Sequence, residues 1–312
     1  MTSDSGAPDA HQVTAAARLR RSRRRWRALA FLALVIAVLA VAGRYVSEKG
    51  AVGGQIARVE ISGNIASDRD RVELLKRLGD DSSVKAVIVA INSPGGTTAG
   101  GEELYESLGA LRAKKPVVAV IGELGASAAY MTAIATDHIF ARRLSIVGSI
   151  GVLFQSFNAG KLLDTIGIGT DKVASGPLKA EPDITKPMSP EVRASLSSLV
   201  ADSFNWFVDI VASRRGIDRA QALALADGRI LTGRQALDDK LIDAIGGEDD
   251  AVAWLESAKQ VPDQLPVVTR AVPGGGWSLG KWLGSQARAA LGLGGDGPVA
   301  LDGLVSLWQV AS

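Results

Sequence analysis

The chain reads as an α/β protein on a mostly parallel sheet, with an apolar, membrane-directed segment ahead of it. Three observations predict this. Continuous, largely β-branched runs at 84–91 and 116–121 mark strands buried on both faces. Between them and on either side, apolar residues recur at helical spacing, as Val72, Leu75 and Leu78 do, so strands alternate with helices in right-handed βαβ fashion. Seven arginines lie between Arg18 and Arg27, directly ahead of an uncharged apolar run at 28–43.

Residues 1–27 form a basic tail. The next 16 residues, all apolar, span about 24 Å as a helix, short against a hydrocarbon core of about 30 Å. Arg27 and Arg44 can snorkel outward, and Trp26 and Tyr45 stand where interfacial aromatics belong, which gives a transmembrane anchor over 28–46. No acidic residue occurs between Asp9 and Glu48. The positive-inside rule then leaves the N-terminus in the cytoplasm, with the remaining domain outside the cell membrane. Ala40-Val41-Ala42 also has the small-x-small form of a signal cleavage site, under which the mature chain starts at Gly43. Both readings export the remaining domain.

A glycine-rich spacer covers 47–54, and one α/β domain covers 55–262. Residues 55–65 alternate as a strand. Residues 68–78 have a helical period and an acidic first turn that suits the helix dipole. A strand at 84–91, a helix at 102–114, a strand at 116–121 and a short apolar helix at 126–136 come next. Further strands are predicted at 138–141 and 146–153. Ser189-Pro190 opens a long helix with a capping serine and a first-turn proline, and Gly216 ends it. Its stripe is Val192, Leu196, Leu199, Val200, Phe204, Phe207, Val208 and Val211, a packing face. Residues 263–312 turn rich in glycine and proline, carry Trp277, Trp282 and Trp308, and read as a tail.

Charge and composition exclude several functions. The first 50 residues hold nine Lys/Arg against three Asp/Glu, and the other 262 hold 26 against 30. The basic character belongs to the tail, so the domain lacks the basic surface that nucleic acid requires. The absence of cysteine excludes disulfides, thiolate nucleophiles and cysteine metal sites. With two histidines, His11 and His138, a histidine-rich metal centre is excluded, and no cofactor is called for.

Three glycine-containing turns are predicted to follow buried strands, where sites form in open α/β folds. They are Asn92-Ser93-Pro94-Gly95-Gly96, Gly125-Ala126-Ser127-Ala128-Ala129-Tyr130 and Gly148-Ser149-Ile150-Gly151. Ser127 sits where a strand end enters a helix. It reads as a helix cap, or as a nucleophile with backbone donors around it. A nucleophile needs a base. Asp137 and His138 are adjacent in a strand and point to opposite faces, so they form no relay. A lysine base must be neutral near pH 7–8 against an ordinary pKa of about 10.4, a depression of roughly 4 kcal/mol that burial supplies. Lys161 and Lys172 lie in solvated surroundings. Lys179, in Ser175-Gly176-Pro177-Leu178-Lys179-Ala180, has small and apolar neighbours and reads either as that base or as an ordinary loop lysine.

These motifs occur in order with Gly228-Arg229, Thr232-Gly233, Ala236 and Leu241-Ile242-Asp243. As a set they resemble the short form of the signal peptide peptidase A family of membrane-bound Ser-Lys peptidases, over residues 50–262. The resemblance implies a Clp protease/crotonase-like ββα spiral. It implies Ser127 as nucleophile, Lys179 as general base and Ser149 as the residue orienting the lysine. The N–H groups of Gly96 and Ala128 would form the oxyanion hole, with Asn92 and Gly95 supporting the glycine turn. Ala128-Ala129 departs from relatives that often carry glycine there. Signal peptides as substrates, the membrane as partner and a homo-oligomer are further expectations. A protease of intact membrane proteins, a crotonase-like acyl-CoA enzyme and an inactive scaffold are the alternatives.

Overall fold

The computed structural model describes residues 30–38, 54–272 and the backbone of 304–307. Residues 1–53 and 54–312 are separate units. In the first, residues 30–38 form a helix, α1, whose Phe31, Leu32, Leu34, Ile36 and Val38 are exposed. Among the described residues no helix is long and apolar enough to cross a membrane, and most of the anchor expected at 28–46 lies outside them. Trp277, Trp282 and Trp308 are likewise outside.

The second unit is an α/β fold on a ten-stranded mixed sheet. β1 (Gln55–Ile65), β2 (Val84–Thr97) and β3 (Val117–Ala126) pair in parallel. β3 then divides between two neighbours. Val118–Ile121 pair with β4 (His138–Ala141), and Leu124–Ala126 with β5 (Ile146–Gly148). β6 (Leu153–Phe154) comes after, so the single strand predicted at 146–153 is two short ones. β7 (Ile230–Thr232) runs antiparallel to β5, and β8 (Ala244–Ile245) parallel to β4. β9 (Val267–Thr269) pairs with β1, and β10 (Leu304–Leu307) pairs antiparallel with β2 and β6. The domain therefore does not end at 262: two pieces of the expected tail join the sheet.

The β-branched runs are continuous because each face of the sheet has its own core. Val87, Val89, Val117, Ala119 and Ile121 face the helices α2 (Arg69–Asp80), α3 (Thr98–Arg112) and α4 (Ala128–Ile134). Their alternates Ala86, Ile88, Val118 and Val120 face Ala251 and Leu255 of α9 (Glu248–Lys259). Asp68 caps α2 by accepting from the N–H groups of Asp70 and Arg71. Between α4 and α9 lie α5 (Gly160–Thr165), α6 (Pro190–Arg215), α7 (Arg219–Leu225) and α8 (Gly233–Asp238). Ser189 caps α6 and left-handed Gly216 ends it.

The expected stripe on α6 is buried at Val192, Phe207, Val208 and Val211, while Leu199 is exposed. The C-terminal half packs on the domain, and Arg214 donates to the carbonyls of Ile134 and Thr136, both at 2.6 Å, at and just past the end of α4. These carbonyls are the groups a helix end leaves without partners.

His138 is structural. It stacks on Trp254 with ring centroids 4.6 Å apart, 3.9 Å from the Asp243 carboxylate, with Arg215 and Lys259 nearby. Burial lowers its pKa from the ordinary 6.5. A lowered base pKa means that the unfolded chain takes up the proton first, so stability falls as pH drops through about 6.5. The thermal midpoint of the wild type should therefore fall relative to His138→Phe, which keeps the stack, between pH 7.5 and 5.5. An unchanged gap between the two proteins would sink this reading.

Candidate active site

The three motifs meet because of strand register. Ser93 on β2 is opposite Gly125 on β3, and Ala126 on β3 is opposite Gly148 on β5. Each motif therefore lies at the same end of three neighbouring strands. Ser127 follows β3 immediately and is 1% exposed. Its backbone has φ 59° and ψ −121°, a conformation that favours glycine. Its N–H donates to the Gly148 carbonyl at 2.8 Å. Its own carbonyl accepts from Tyr130 and Met131, opening α4. The Ser127 hydroxyl does not cap that helix, so the cap reading fails.

Ser149 is also buried and also in the positive-φ region, at φ 50°. Its N–H donates to the Arg229 carbonyl, and Gly228 N–H donates to the Ile150 carbonyl. The Gly228-Arg229 motif thus holds the Ser149 turn through its backbone. Thr232 caps α8 in a capping box with Gln235. The Leu241-Ile242-Asp243 motif supports the far side of α4. The buried Tyr130 hydroxyl donates to the Leu241 carbonyl at 2.7 Å, and Asp243 accepts from Ile139 N–H and Arg215.

Asn92 to Gly96 is not a turn. β2 continues to Thr97 because β1 keeps pairing with it, Asn64 to Gly95 and Ile65 to Gly96, after a register shift. Gly96 is obligatory here: a β-carbon would stand 1.8 Å from the Ile65 carbonyl oxygen. Asn92, expected to support this segment, is exposed and makes no side-chain hydrogen bond among the described residues. Ser93 does that work. Fully buried, it donates to the Gly63 carbonyl at 2.6 Å and accepts from Gly95 N–H at 3.1 Å. A serine two residues before a glycine, bonding that glycine's N–H, is the signal in the sequence that could have found it. Ala128 fits because Gly101 of α3 faces it, where a β-carbon would be 3.0 Å from Ala128 Cβ.

Lys179 makes no hydrogen bond or ion pair to this cluster among the described residues. It is exposed, its N–H donates to the Gly176 carbonyl, and no hydrogen bond or ion pair reaches its Nζ among the described residues. Lys161 is exposed on α5. Lys172 pairs with Glu181 at 2.5 Å and Asp183 at 3.7 Å, and the Glu181 hydrogen bond raises its pKa. His138 pairs with Val118 at the opposite end of β3 from Ser127. No group of three or more His, Asp or Glu is placed to hold a metal among the described residues.

The family description "Peptidase family S49" matches residues 109–262. "Putative protease slr0021" of Synechocystis is 37% identical over 218 residues, covering 69% of this chain and 78% of that one. The chain belongs to peptidase family S49. This S49 chain is also 29% identical over 263 residues to "Putative signal peptide peptidase SppA" of Enterococcus faecium, covering 79% of this chain and 75% of that one. It is 29% identical over 218 residues to "Serine protease SPPA, chloroplastic" of Arabidopsis thaliana, covering 67% and 32%. It is a serine peptidase. A structure of a Listeria monocytogenes ClpP1 variant overlays with a TM-score of 0.43 at 17% identity, covering 62% of this chain and 92% of that one. At that score the likeness decides nothing, and the fold rests on the strand order above.

The Ser127 backbone makes a stability prediction for this S49 peptidase. Ser127→Gly removes the β-carbon from a conformation costing of order 1–3 kcal/mol, offset in part by glycine's greater freedom in the unfolded chain. In denaturant titrations the variant should be about 1 kcal/mol more stable than Ser127→Ala. Equal midpoints would show that the elbow carries no strain.

Proposed function

We propose that the protein is a membrane-anchored serine endopeptidase of the Clp protease/crotonase-like kind. Ser127 is the nucleophile and Lys179 the general base, and the substrates are apolar peptides, in particular signal peptides left in the membrane after cleavage. One observation carries the reading: Ser127 is held in a glycine-like elbow between the Gly95–Gly96 strand and the Ser149 turn. Its hydroxyl attacks the peptide carbonyl and passes its proton to Lys179 Nζ, which returns it to the leaving amine. Water then hydrolyses the acyl-enzyme. The N–H groups of Gly96 and Ala128 are assigned to the oxyanion and Ser149 to orienting the lysine.

A lysine acts as a base once it is desolvated. Lys179 stands on an exposed stretch that also exposes Phe157, Leu162, Ile166, Ile168, Val173 and Ile184, Val173 at 99%. A surface so apolar favours cover by another copy of the chain, which would desolvate the lysine as it buries its neighbours. The protein is accordingly a homo-oligomer in this reading. The arginine-rich tail ahead of the apolar segment supports a cytoplasmic N-terminus and an exported catalytic domain.

Hydrolysis of an apolar reporter peptide by the full-length protein tests the dyad. Ser127→Ala and Lys179→Ala should each lower kcat by about 10³-fold or more. Near-normal turnover in either variant overturns the assignment.

A further inference from the structure

We propose that Lys172 is a positioning residue for Lys179: by pairing with Glu181 and Asp183 it closes the neck of the exposed segment that carries Lys179, and so limits where that side chain can stand. The inference rests on the reading of Lys179 as general base. Lys172 Nζ lies 2.5 Å from the Glu181 carboxylate and 3.7 Å from that of Asp183. Between these partners, residues 173–180 are exposed at every position except Gly176. The acceptors are themselves fixed. The Glu181 carboxylate accepts from Asp183 N–H at 2.9 Å, and the Asp183 carboxylate accepts from the N–H and the hydroxyl of Thr185 at 2.9 and 2.7 Å. Residues 184 and 185 are fastened in turn to the start of α5. Ala159 N–H donates to the Ile184 carbonyl at 2.7 Å, and a β-carbon at Gly160 would stand 2.3 Å from the Thr185 carbonyl oxygen. On the other side of the neck, the Thr170 hydroxyl donates to the Thr185 hydroxyl at 3.2 Å.

A single ion pair in open solvent contributes little to stability. This one differs in two ways. Its carboxylates are shielded, with the Glu181 and Asp183 side chains 19% and 15% accessible, and one ammonium holds both. It also joins the two ends of a segment that packs on nothing else, so its loss frees the whole of 173–180. Charge acts in the same direction. Glu181 and Asp183 are the acidic residues next to Lys179 in the chain. Without Lys172 they would draw the Lys179 ammonium into a pair of its own and hold it back from Ser127. Engaged by Lys172, they leave Lys179 available for the serine hydroxyl.

The test uses the full-length protein and the reporter peptide. Lys172→Met keeps the length of the side chain and removes its charge; it should lower kcat about tenfold and leave KM within about twofold, because a misplaced base slows the chemical step rather than binding. Lys172→Arg, which can still bridge the two carboxylates, should keep kcat within about twofold of the wild type. Lys172→Met combined with Glu181→Gln should be no slower than the worse of the two single variants, since both remove one interaction. In the Ser127→Ala background, which cannot cut itself under the proposed dyad, added chymotrypsin should nick the chain after Leu178 about fivefold faster once Lys172 is Met. A kcat for Lys172→Met within twofold of the wild type overturns the inference, as does a loss that Lys172→Arg shares in full or one that appears in KM alone. Lys179→Ala separates the two failures. If it abolishes turnover while Lys172→Met behaves as wild type, the dyad stands and only the clamp is wrong. If Lys179→Ala keeps its turnover, Lys179 is not the base, and the role given to Lys172 falls with it.

Discussion

The approach of Ile65 to Gly96 is the constraint on which the rest of the site depends. A β-carbon at position 96 would lie 1.8 Å from the Ile65 carbonyl oxygen, so the two strands can stay paired only past a glycine. That pairing carries β2 on through Pro94 as far as Thr97 and brings Gly95 and Gly96 level with the end of β3. Ser93 locks the arrangement from beneath by linking Gly63 to Gly95. Ser127 and the Ser149 turn then take their places one strand further along.

The scaffold around this register is stiff, and the part that carries Lys179 is not packed in the same way. α4 is buried along its whole length, pinned at its start by the Ser127 carbonyl, nearby through Tyr130 and at its end by Arg214. Among the described residues of the domain, 155–188 carry most of the exposed large apolar side chains. Under the proposed dyad, a buried Ser127 is matched to an exposed Lys179 that a further surface covers.

Much of this is legible in the sequence. The strands at 55–65 and 138–141 can be read at their true limits, because alternation and β-branched composition report burial directly. Segment 92–96 reads as a turn, since proline and glycines signal a break, and only the continued partnership with β1 cancels that signal. Asn92 draws attention ahead of Ser93 because a side chain's partner across 30 residues cannot be seen in local sequence. β9 and β10 escape a sequence reading because strands of three or four residues carry little periodicity and exist through their neighbours.

By itself the sequence determined the available chemistry and the family. It contains a serine among small residues, no cysteine and a single histidine in the domain, and its residues 109–262 match peptidase family S49. Only the tertiary structure decided that three motifs, spread over some sixty residues, share one end of the sheet. It also decided that Lys179 stays in solvent and that the C-terminal strand lies against Gly95 and Gly96. The reason is physical: residue type follows from the chain alone, whereas register and burial follow from contacts between segments far apart in it.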